Sequence, residues 1–159
     1  MRKFARVLSV LLAFLAGGCG PAALRLHAQA ASVTGIALSG TRTAILQARS
    51  AALDRVEGGT RGQPVAARLE ALSTEDRGWR PVLHAFEGVR VSLRIWIDSI
   101  ALAAAAGEGE QIIGNLIAIA RDLVAGWAPL SEALRDHGID APELPKIVSD
   151  LLEALDDGS

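Results

Sequence analysis

The chain of 159 residues has one cysteine, Cys19, so no intramolecular disulfide can brace it. Aromatic residues are scarce: three tryptophans, three phenylalanines and no tyrosine. The fold must therefore rest on aliphatic and alanine packing. The patterns that announce catalysis are missing as well. There is no nucleophile elbow, phosphate loop, zinc-protease helix or dinucleotide fingerprint. His27, His84 and His137 lie far apart, without metal-ligand spacing, and read as surface or half-buried side chains. No period of 20–50 residues marks a repeat protein. The expectation is a protein that is not an enzyme, with no cofactor, no metal site and no nucleic-acid partner.

What is present begins at the amino terminus. Arg2, Lys3 and Arg6 form a basic segment, followed by an apolar run of ten residues, Val7 to Ala16, interrupted only by Ser9. A spanning helix needs about 20 apolar residues, so this run suits a cleaved export signal instead. It closes on Leu15-Ala16-Gly17-Gly18-Cys19, which resembles the lipobox of bacterial lipoproteins, with Ala16 where that family prefers Leu. The resemblance covers residues 1–20 only. It implies diacylation of the Cys19 thiol and cleavage before Cys19, with the new terminus usually acylated too. It also implies a membrane partner reached through that anchor and a place in the cell envelope. Gly20 after the cysteine, rather than Asp, favours the outer membrane if the host has two. The alternative is ordinary cleavage after Ala28-Gln29-Ala30, which would discard Cys19.

Cleavage before Cys19 leaves residues 19–159, one domain's worth of chain. These residues carry 13 basic against 18 acidic side chains, a formal −5. Residues 20–106 hold ten arginines and seven acids, a net +3, whereas 107–159 hold three bases and eleven acids, a net −8. Basic patches for nucleic acid are not supported.

Helical periodicity runs through the mature chain. Leu24, Ala31, Leu38, Ile45 and Ala52 recur every seven residues, predicting a helix from Pro21 to Gly58-Gly59 that Gly35 or Gly40 could bend. Gly40, Ala44, Ala48 and Ala52 form a ridge of small residues on it. Pro64 to Leu72 predicts a short helix, with Ser73 or Thr74 capping a following turn. Between Pro81 and Ala106, Val82, Phe86, Val89, Leu93, Trp96, Ile100 and Ala103 keep an alternating four-three spacing. Glu110 to Trp127 is the most apolar helix and is expected in the middle of a bundle. Pro129 is expected to start or kink a further segment ending at Gly138. Asp140 and Glu143 suggest a capping box for a last helix bearing Leu144, Ile147, Leu151 and Leu155, with residues 156–159 frayed. The predicted fold is all-α, an antiparallel bundle of four to five helices, with Leu93, Trp96, Leu116 and Leu123 in one core.

Arg42 and Arg49 fall inside the apolar arc of the first helix, seven residues apart, and are the candidate interaction residues. Either their stems cover the core edge while the guanidinium groups reach water, or they pair with carboxylates of the acidic half, 107–159. The functional expectation is a lipid-anchored envelope protein acting as a protein-interaction or structural module. The alternatives are an immunity- or exclusion-type inhibitor of a phage or mobile element, and a small-ligand or lipid-binding bundle.

Overall fold

A computed structural model describes residues 22–106, 110–144 and 146–156. These residues form an all-α bundle of five helices: α1 (Ala22–Gly59), α2 (Val65–Gly78), α3 (Arg80–Ala106), α4 (Glu110–Asp136) and α5 (Lys146–Asp156).

Helix α1 runs unbroken past Gly35 and Gly40, about 57 Å at 1.5 Å per residue. Its seven-residue stripe is the core face: Ala31, Leu38, Ile45 and Ala52 are all buried. Two threonines share that face, Thr34 and Thr41. Each donates its hydroxyl to the carbonyl four residues back, Ala30 O at 2.7 Å and Ala37 O at 2.9 Å. Their burial therefore leaves no unmet donor. The helix stops at the two glycines, where Thr60 N and Thr60 Oγ1 both donate to Val56 O.

Helix α1, rather than α4, is the one in contact with every other described helix. The expectation for α4 fails for a compositional reason. Its outward face is lined by Ala118, Ala125 and Ala128 among Asn115, Arg121, Asp122 and Glu132, and alanine counts as apolar wherever it points. Ala28, Ala30, Ala31 and Gly35 give α1 a buried face of small residues instead, which lets several neighbours approach closely. The most extensive pairing is α3 with α4.

Helices α2 and α3 run antiparallel along α1 as a rod interrupted at Trp79. As the α1 partner falls from Glu57 to Arg49 to His27, the opposing residue rises from Arg68 to Asp76 to Trp96. The interruption is narrower than predicted. Helix α2 continues through Ser73 and Thr74 to Gly78, so neither residue is a cap. Pro81 falls in the first turn of α3, where its missing N–H leaves no helical bond unmade.

Pro129 lies inside α4, which continues to Asp136 instead of restarting. The proline is exposed, so the carbonyl it deprives of a donor can turn to water. Helix α4 ends in a Schellman arrangement: Ile139 N donates to Leu134 O (3.0 Å) and Gly138 N to Arg135 O (2.9 Å), with Gly138 at φ 68°. Residues 139–144 are then non-helical, so Asp140 and Glu143 form no capping box. Pro142 and Pro145 account for this, since a residue before proline is driven out of the helical region. Trp127 Nε1 donates to Pro142 O (3.1 Å) and tethers this segment to α4. In α5, Val148 is buried and Leu152 packs against the core. The side chains of Ile147, Leu151 and Leu155, and residues 157–159, fall outside the described set.

The core is one cluster. Leu93, Trp96, Leu116 and Leu123 are at most 2% exposed within it, as the spacing predicts, together with Ile45, Val82, Leu130 and Leu134.

Candidate functional site

Cys19, the lipidation candidate, lies outside the described residues. Helix α1 begins three positions after it, at Ala22.

Of the two arginines, Arg42 is exposed on α1 and presents its guanidinium to water. Arg49 is two-thirds covered, and its Nε donates to Asp76 Oδ1 at 3.0 Å, with a second contact from Nη2 to the same oxygen. The expected acid from residues 107–159 is not the partner. Asp76 belongs to α2, in the half of the chain with net positive charge. The reason is topological: α2 folds straight back along α1 after a short link, which brings Asp76 level with Arg49. Net charge per half carried no information about that register. Arg68 Nη2 and Glu57 Oε1, 3.6 Å apart, repeat the contact nearer the link. Arg42 and Arg49 thus do not act together, although one line on the helix carries both.

His27 is wholly buried, against the expectation of surface or half-buried histidines. Trp96 Nε1 donates to His27 Nδ1 at 3.2 Å, and the rings meet edge to face at 88° with centroids 5.7 Å apart. An accepting Nδ1 places the ring proton on Nε2. That Nε2–H is buried and has no partner among the described residues. Burial strips the ring of water and lowers its pKa from 6.5 to about 4. The imidazole is therefore neutral near pH 7. A signal for this was available: His27, Thr34 and Thr41 recur every seven residues, a polar line beside the apolar stripe.

A second histidine–tryptophan pair lies at the other end of the bundle. Trp79 is buried at the α2–α3 break, and its indole stacks on His137 at 4.5 Å, tilted by 50°. Trp79 Nε1 donates to Glu75 Oε1 at 3.2 Å. His137 Nδ1 is 3.0 Å from Ala133 O, and Nε2 is 3.1 Å from Gly78 O. His84, the third histidine, is exposed on α3.

Among the described residues, no three histidine, cysteine or acidic side chains gather as a metal site would require. The hydroxyls of Thr34, Thr41, Thr43 and Thr60 donate to backbone carbonyls of their own helix or its end. The polar contacts made by Arg49, His27 and His137 join one element to another, which is structural work. Compared with known proteins, the chain matches no family model, no curated protein and no solved structure.

Proposed function

We propose that this chain is a lipid-anchored cell-envelope protein, attached through acylated Cys19, whose helical body serves as a non-enzymatic interaction or structural module. The observation that carries the reading is the lipobox-like Leu15-Ala16-Gly17-Gly18-Cys19 closing a short apolar run behind Arg2, Lys3 and Arg6. Burial supports it over the competing site after Ala30. Cleavage there would remove His27, Ala28 and Ala30, all at most 6% exposed, and with them the partner of Trp96. Cleavage before Cys19 leaves every described residue in place.

No described helix is long and apolar enough to cross a membrane. In this reading, attachment rests on the acyl chains. One chain holds a protein only marginally, and two or more anchor it stably. The interaction half of the reading is supported by α2, none of whose residues is fully buried and which exposes Val65 and Leu69 one turn apart.

The test is expression of the full-length chain with labelled fatty acid, beside Cys19→Ser. Label on the wild type, none on the variant and release of the variant from membranes are expected. A mature terminus at Ala31 by mass spectrometry would overturn the anchor. Cross-linking of the native acylated protein in membranes then tests the interaction half. Recovery of the monomer alone would count against it.

A further inference from the structure

The outward face of α1 is unlike the charged face that a helix usually turns to water. Leu26, Val33 and Gly40 recur on it every seven residues, with Gln29, Ile36 and Thr43 between them, and Gln47 and Ser50 continue the line. All of these are exposed. Their alternating three-four spacing is the pattern by which one helix packs along another. The line lies opposite the buried stripe of Ala31, Leu38 and Ile45, and it holds no charge for about seven turns. Between Arg25 and Asp54 the charged side chains of α1 are Arg42 and Arg49. Both lie on another line of the helix, the one from which Arg49 reaches α2. Thr43 Oγ1 donates to Ser39 O at 3.1 Å, so its donor is met within the helix.

The line is complementary to itself when reversed. Its bulky apolar residues lie in the N-terminal half and its small residues in the C-terminal half. About a two-fold axis level with Leu38, Ile36 falls opposite Gly40, Val33 opposite Thr43, Leu26 opposite Ser50, and Gln29 opposite Gln47. Gly40 leaves room for this, since a Cβ there would meet nothing within 4 Å. Arg25 and Asp54, exposed at the two ends of the line, come within about one turn of each other at both ends of such a pair. Neither makes a hydrogen bond or ion pair among the described residues. A parallel pair would set like charge against like. We propose that α1 docks against α1 of a second copy of this chain, antiparallel, with Ile36 of each copy seated over Gly40 of the other. A membrane is the poorer fit. An interfacial helix borders its apolar stripe with Lys and Arg, whereas the borders here are Ser32, Ser39, Ala44 and Ala51. The inference rests on the interaction half of the proposed function, not on the anchor, and gives it a partner.

The experiment is photo-cross-linking in cells that express the full-length chain with a photoreactive side chain in place of Gln29. The expected product has twice the chain's mass, and its joined peptide contains Gln47. Gly40→Leu should lower its yield about tenfold or more, because Leu favours the helix but overfills the contact at two symmetric points. Arg25→Asp should lower the yield severalfold, and Arg25→Asp with Asp54→Arg should restore it. Absence of a product of twice the mass would overturn the dimer. So would a joint to the other copy's own position 29, the mark of a parallel pair, or a yield unchanged in both Gly40→Leu and Arg25→Asp. Joints to phospholipid or to a different protein would also overturn it, the second while leaving the interaction half of the proposed function standing. Fatty-acid labelling of the same cultures reads the anchor separately.

Discussion

His27 is the residue whose chemistry departs most from its position. It occupies a core site that an aliphatic side chain could fill, and it is held neutral by burial. Unfolding returns it to water, where its pKa is about 6.5. The unfolded chain therefore binds a proton that the folded chain refuses in the interval from about 6.5 down to about 4. Stability conferred at neutral pH is lost as the pH falls through that window, and the loss levels off below it. Its size is on the order of 3 kcal/mol. Urea midpoints from pH 7.5 to 4 should show the decline, and His27→Leu should remove that part of the slope. At pH 7 the same substitution should change stability little. It removes one unpaired buried donor, Nε2–H, and creates another, Trp96 Nε1–H. An unchanged acid slope in the variant would show that other groups set it. Leu116 and Leu123 sit at the opposite extreme, fully buried and chemically plain. Truncating either to Ala should cost about 2–5 kcal/mol, read as a lowered denaturation midpoint with an unchanged slope.

At the scale of the element, helix ends separate local from distant causes. Ser73 illustrates this. As an N-cap, its replacement by Ala would cost about 1 kcal/mol. Inside α2 and exposed, Ser73→Ala should be neutral within about 0.5 kcal/mol. Its carbonyl, which accepts from Arg77 Nε, is untouched by the change. Thermal melts distinguish the two. Gly138 is the contrary case, because its positive φ of 68° ends α4. Gly138→Ala should destabilise by about 1 kcal/mol, the penalty of a left-handed residue bearing a Cβ. The docking of α2 on α1 depends on Arg49 and Asp76, which are 33% and 43% exposed. A double-mutant cycle with Ala at both positions should give a coupling of about 0.5–1 kcal/mol. A coupling near zero would mean that the pair does not seat α2.

For the whole molecule, the proposed cleavage before Cys19 can be tested through folding, a different route from lipid labelling. A chain beginning at Gly20 retains all of α1. One beginning at Ala31 lacks its first turns, including His27, Ala28 and Ala30. The first should unfold cooperatively in a calorimeter, and the second should lose that transition or show it strongly lowered. Equal stability would remove the structural support for cleavage before Cys19. The sequence by itself determined that helices form, though not where several of them end, together with the α1 and α3 core stripes and the all-α class, because helical periodicity is a local property that burial only has to follow. It also carried the whole of the proposed Cys19 reading, since a lipobox is a linear motif. Tertiary structure alone decided the rest. Asp76 meets Arg49 because α2 folds back at one register. His27 is buried because Trp96, on another helix, closes over it. Pro129 stays within α4 because its side of the helix faces water. His137 reaches Gly78 because two helix ends converge. Each of these depends on residues distant in the chain, and nothing in local spacing encodes which of them will become neighbours.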